Sequence, residues 1–179
     1  MEHLELLKYP IGTFKCPDNI TEKDVLNWTL ELESFPNKFE KLVENLTDLQ
    51  LDTPYRPDGW TVRQVVHHVS DSHHHSYTRF KWALTEDKPI IKAYFEDRWA
   101  ALFDTKTAPI QMSLQHLKAI HFKLVYLIRG LKPSDLKKVF VHPETNSEIP
   151  LDYNIGNYAW HGNHHYAHIE NLLKLNQWI

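Results

Sequence analysis

Apolar positions recur at helical spacing in four long stretches of this 179-residue chain. In "TEKDVLNWTLELESFPNKFEKLVENL", Val25, Trp28, Leu32, Phe35, Phe39, Leu42, Val43 and Leu46 share one face. Thr21 is placed to cap the N-terminus. Pro36 falls inside the pattern, so the spacing predicts one long helix kinked there, or two shorter ones. "LDTPYRPDGW" reads as a turn-rich connector. Thr61 and Gln64 then form a capping box that opens a second helix running to about residue 84. Residues 85–109 are less regular, with a short helix expected around 95–103. A third helix is predicted over roughly 110–129, stopping at Gly130. One helical turn and a short hairpin around "ETNS" precede a last helix from about 152 to 176. Residues 1–20, with Pro10, Gly12 and Pro17, are expected to form an extended arm. The sum is an all-α chain, a single domain over 1–179 built as a four-helix bundle. Its long connectors argue against simple up-down-up-down order.

Composition narrows the class. Hydrophobic residues make up 42% and charged residues 24%, enough to build a core. The net charge of −3 and the lack of a Lys/Arg block give no sign of a nucleic-acid partner. No apolar run is long enough to span a bilayer, and "MEHLELLKYPIGTF" does not resemble a secretion signal. A soluble cytoplasmic protein is the expectation. The single cysteine, Cys16, excludes an internal disulfide and an all-cysteine metal site. Nothing in "TFKCPDN" would activate it as a nucleophile.

The chemistry points to histidine. Thirteen are present, and most lie in "VVHHVSDSHHHSYTRF" and "YAWHGNHHYAHIENLL". At about 100° per residue, His165 falls inside the last helix's apolar stripe of Leu151, Ile155, Tyr158, Gly162, Ile169, Leu172 and Leu173. His161 lies about 40° away, His168 about 60° and His164 about 100°, at the edge. Buried imidazoles need partners. Two at i and i+4 can share one ion. Residues 161 and 168 are separated by about 10 Å of helix axis, against a metal–nitrogen bond of about 2 Å. A third ligand should therefore come from another helix. The bland alternative is a pair of core histidines bonded to backbone carbonyls.

On the second helix, Val62, Val65, Val66, Val69, Ser76, Phe80 and Ala83 define the inner face. His67 and His74 point away from it and are expected to be solvated. Periodicity leaves His68, His73 and His75 open, and slightly favours His73. Of the possible acid/base groups, neither Asp71 nor Glu170 falls near His165. Position 162 is Gly, so the HExxH general base of zinc proteases is absent.

"DGWTVRQVVHHVSDSHHH" and "WHGNHHYAHI" on a four-helix pattern resemble the DinB/YfiT-like superfamily. The YfiT branch is nearest, through "YPIG", "LDTPYR", "RFK" and "VHPET" as well. That branch is known as metal-dependent hydrolases and as bacillithiol S-transferases. The resemblance implies that the ligands are His68, His161 and His165. His73 is not a ligand position in the family. Where many relatives have Gln, this chain has His168, which with Arg56 and Ser72 is expected beside the site or substrate. Arg56 and Trp60 flank the entrance to the second helix and read first as a turn arginine and a core tryptophan, and only second as substrate contacts. The resemblance further implies one divalent metal, Zn²⁺ or else Ni²⁺, a small-molecule substrate and a homodimer. The first functional expectation is a thiol S-transferase with a bacillithiol-type cosubstrate. The alternatives are a hydrolase using metal-bound hydroxide, and a non-catalytic metal-binding stress-response bundle.

Overall fold

The structure is a computed structural model that describes residues 2–179, with side chains from residue 5 onward. The long helices are α2 (Glu22–Val43), α4 (Val62–Thr85), α7 (Ile110–Arg129) and α8 (Leu151–Leu175), and shorter helices α1 (Glu2–Lys8), α3 (Asp48–Leu51), α5 (Glu96–Ala100) and α6 (Phe103–Thr107) join them. Strands β1 (Val139–His142) and β2 (Ser147–Pro150) form an antiparallel hairpin pairing Val139 with Pro150 and His142 with Ser147. Asn146 closes the turn at φ 53°, a left-handed conformation that Asn tolerates.

Local chemistry sets the boundaries. Thr21, Thr47 and Thr61 each cap a helix through a complete capping box, with Asp24, Gln50 and Gln64 as the reciprocal partners. Pro36 does not divide α2, which runs unbroken from Glu22 to Val43. Proline has no N–H, however, so the carbonyl four residues back, that of Leu32, loses its helical donor. Two expectations need correction. The arm at 1–20 is not wholly extended, since it contains α1. Residues 95–103 hold not one helix but α5 and the start of α6.

Helix α2 packs on α7 and α8, and α4 packs on the same two. The ring order is therefore α2, α7, α4, α8. Consecutive long helices α2 and α4 sit on a diagonal, as do α7 and α8, so this is not an up-down-up-down bundle. The hairpin carries the chain across the second diagonal. Its Phe140 is fully buried, and the Leu151 N–H that starts α8 donates to the Lys138 carbonyl at 3.0 Å. No helix is long and apolar enough to cross a membrane among the described residues.

The core is in two parts. One contains Phe35, Phe39, Val65, Val69, Leu117 and Ile169; the other contains Leu32, Phe80, Leu124, Phe140, Leu151 and Ile155. Each such side chain contributes about 1.5–3 kcal/mol through burial. Between the two parts every long helix but α2 presents polar groups: Ser72, His73 and Ser76 from α4, His121 from α7, and His161, His164, His165 and His168 from α8. A layer of histidine crosses the bundle at mid-height.

Candidate metal centre

His68, His161 and His165 converge on one side of this layer. Their ring centroids are 5.4 Å (68–161), 4.8 Å (68–165) and 4.6 Å (161–165) apart. One nitrogen from each lies within 4.8 Å of the other two. The phase of α8 and the i, i+4 spacing bring His161 and His165 together, and α4 supplies the third ring from the facing helix. Burial pushes the His68 imidazolium down to about 4 and holds His161 and His165 well below the ordinary histidine range. All three are neutral near pH 7, the form that donates a lone pair to a cation. Neither His68 nor His165 makes a side-chain hydrogen bond among the described residues, and His165 Nδ1 is buried without a partner. Buried nitrogens in that condition need an acceptor of their lone pairs, so the donor set fits a divalent ion.

His161 is different, because its Nδ1 is engaged. It lies 3.2 Å from His73 Nε2, and His73 Nδ1 lies 2.7 Å from His121 Nε2. His121 Nδ1 in turn meets the Leu32 carbonyl oxygen. His73 thus sits beneath the three rings, fully buried, and is not among them.

A second triad lies on α8 alone: His164, His165 and His168 also bring one nitrogen each within 4.8 Å. His168 donates Nε2–H to the Lys8 carbonyl at 3.0 Å, and its ring stacks on Tyr55 at 4.1 Å. His164 stacks on Trp160 at 4.7 Å. Both keep a buried Nδ1 without a partner. This corrects the edge position expected for His164, which is only 8% exposed because the arm residue Tyr9 packs over it. His67 is likewise not solvated. It donates Nε2–H to the Ala108 carbonyl and accepts from Ser113, since α6 and the start of α7 cover that face of α4. His74 is exposed, as expected, and pairs with His116. His75 stacks on Tyr94 at 4.3 Å.

The rings open into a cleft of about 650 Å³, large enough for a small molecule. Arg56, Trp60 and Ser72 line it, as do Arg79, Tyr94 and Tyr158. Trp60 is no simple core residue: its ring lies 4.7 Å from that of His68. Sequence reasoning placed Tyr158 in the apolar stripe and missed its hydroxyl, which accepts from Arg79 at 3.2 Å. Asp58, Glu96 and Asp97 are the acidic groups that line it, while Asp71 and Glu170 do not. Burial pushes Cys16 up, and the nearby Asp152 and Asp24 add to this, so it is no activated nucleophile.

Gly162, between the two ligand-like histidines, faces inward. A Cβ there would stand 3.0 Å from Phe35 ring carbons. A glutamate could not reach the cleft from that position, which accounts physically for the missing HExxH base. Phe35 has little room to yield, being stacked on Phe39, His73 and His121 at 5.2–5.8 Å. Gly162→Ala should gain about 1 kcal/mol in helix propensity but lose about 1–3 kcal/mol to overpacking. The expected net result is a loss of about 1 kcal/mol in urea unfolding. A variant more stable than the parent would show that Phe35 moves freely.

The model of the DinB superfamily matches residues 31–169. This chain belongs to the DinB superfamily. It is 52% identical over 172 residues to a protein of Bacillus cereus (strain ATCC 10987 / NRS 248) described as "Putative metal-dependent hydrolase", covering 96% of this chain and 98% of that one. A Bacillus mycoides relative of the same description is 50% identical with the same coverage. Among solved structures, YfiT from Bacillus subtilis superposes with a TM-score of 0.95 at 45% identity, covering 97% of this chain and 99% of YfiT. YfiT is described as a probable metal-dependent hydrolase with an unusual four-helix bundle topology. The diagonal connections of this DinB-superfamily chain agree with that topology.

Proposed function

We propose that this protein is a metal-dependent hydrolase of small substrates, with its divalent cation held by His68, His161 and His165. The observation that carries the reading is the convergence of three neutral imidazoles from two helices at the floor of a cleft. Names of relatives that share nearly the full length support hydrolysis. Imidazole suits Zn²⁺, Ni²⁺ and similar ions. Such a cation, when bound, supplies Lewis acidity that makes a coordinated water a nucleophile near neutral pH. The chain's own groups do the rest. The three histidines stay neutral through burial. Tyr158, whose oxygen accepts from Arg79, keeps its own O–H to donate to a substrate oxygen on which charge develops. Arg56 and Trp60 bound the mouth and orient what enters.

The thiol S-transferase is the second reading. It draws on Gly162, because a site with no carboxylate beside the ligand pair suits a reaction in which the cation itself deprotonates a thiol. One assay separates the two. Metal-loaded protein is offered ester, amide and phosphoester substrates without thiol, and an electrophilic probe with bacillithiol or other thiols. The expected result is metal-dependent cleavage without thiol. Conjugation that requires both metal and one thiol, with no cleavage, would install the transferase instead. Tight metal binding with neither reaction would favour a non-catalytic bundle. The metal is identified by elemental analysis of protein purified without a metal column.

A further inference from the structure

Four groups in a row lead away from the cleft: His161, His73, His121 and the carbonyl of Leu32. The last is an acceptor only, so it fixes the direction of every bond behind it. His121 must carry its proton on Nδ1 to donate to Leu32. A neutral His121 then offers an Nε2 lone pair, and His73 donates Nδ1–H to it. His73 in turn presents an Nε2 lone pair, and His161 donates Nδ1–H. What remains on His161 is the Nε2 lone pair, on the side of His68 and His165. His73 at 0% and His121 at 1% exposure leave no room for a water between them to supply another arrangement, while His161 borders the cleft on its far side.

The row ends on Leu32 for a reason visible in the sequence. A mid-helix carbonyl is normally taken by the N–H four residues on, and here that residue is Pro36. The interruption in α2 frees the acceptor on which the relay terminates.

We propose that His73 and His121 are positioning residues which, anchored on the Leu32 carbonyl that Pro36 frees, lock His161 in the Nδ1–H tautomer and aim its Nε2 at the shared site. The proposal rests on reading His161 as a metal ligand, and it gives that ligand the outer hydrogen bond that metal-bound imidazoles use to fix tautomer and orientation. His73 is then buried on the inner face of α4 without being a ligand because its two nitrogens belong to the relay.

The test has two arms. In the metal-free wild-type protein, a long-range ¹H–¹⁵N correlation spectrum should show His161 protonated on Nδ1 before any ion is added. A proton on Nε2 instead overturns the proposal, whatever the protein binds. In the second arm, His121→Phe keeps a ring in the stack but removes both nitrogens. Zn²⁺ affinity, measured by competition with a chromophoric chelator, should fall about 10- to 100-fold, with one ion per chain retained and the Co²⁺ absorption spectrum shifted. His121→Gln, which keeps a donor and an acceptor, should recover part of the affinity. A folded His121→Phe protein that binds Zn²⁺ as the parent does, or a Gln variant no better than Phe, overturns the proposal. If His121→Phe does not fold, the spectrum of the wild type decides. A wild type that binds no Zn²⁺ at all would defeat the proposed function and leave the tautomer to be judged by the first arm.

Discussion

His165→Ala should abolish stoichiometric binding of a divalent cation, with a loss exceeding the roughly 10- to 100-fold that removal of an outer partner costs. His165 belongs to both triads, so this variant alone does not say which one holds the ion. His161→Ala and His168→Ala do. The two-helix site requires His161 and should lose the ion with it. His168 donates to Lys8 and packs on Tyr55, so His168→Ala should retain one ion per chain. His74→Ala should retain it as well, because His74 is exposed and faces His116. Metal content after exhaustive dialysis is the measurement. Retention in His161→Ala with loss in His168→Ala would move the ion to the triad on α8 and sink the assignment.

Acid should unfold the metal-free protein over a window well above that of ordinary carboxylate titration. Unfolded histidines titrate near 6.5. In the fold, burial pushes His68, His121, His164 and His168 down to about 4, and holds His73, His161 and His165 well below the ordinary histidine range. Below pH 6.5 the unfolded chain takes up protons that the folded one refuses. Stability is therefore complete above that value and is lost progressively as pH falls toward 4. For His121, 1% exposed, the loss across the window is on the order of 3 kcal/mol. Several such groups exceed the margin of about 5–15 kcal/mol that holds a typical domain together. Asp71, pushed up to about 6 by burial, works in the opposite direction, but it is one carboxyl against a row of imidazoles. Urea midpoints measured in chelator from pH 7.5 down to 4.5 should fall steeply below 6.5. A flat profile would mean that these rings are hydrated in solution.

Much of the fold could be read from periodicity and caps. Thr21 and Thr61 start the helices they were expected to start, and the hairpin falls where "ETNS" placed it. The pairing of His161 with His165 followed from helix phase. What failed did so for one physical reason: a wheel describes one helix and not what covers it. His67 lies opposite the apolar stripe, yet α6 and α7 pack over it. His164 sits at the stripe's edge, yet Tyr9 and Trp160 close over it. The wheel leaned to His73 over His68 because it measures depth. His68 has a position on the shoulder, bordering the cleft, while the deeper His73 faces His121. The choice of His68 for the cluster therefore came from the family resemblance, and the row behind it was beyond what periodicity can show. The order of functions also changed. The S-transferase was placed first on resemblance, and the relatives' names support hydrolysis instead.

The histidine layer between the two apolar cores has a bearing on which of several assemblies the chain can adopt. Leucine, valine and isoleucine faces are non-directional, and one helix can slide along another by a turn with little change in apolar contact. A one-turn slip moves a residue by about 5.4 Å. Applied to α7 against α4, it would break the 2.7 Å bond between His73 and His121 and leave His73 Nδ1 and His121 Nε2 unpaired in the interior. Only one alignment of the four helices satisfies every nitrogen in the row. The polar layer costs apolar burial at mid-height, and in return it penalises every neighbouring register, as a single buried asparagine does in a coiled coil.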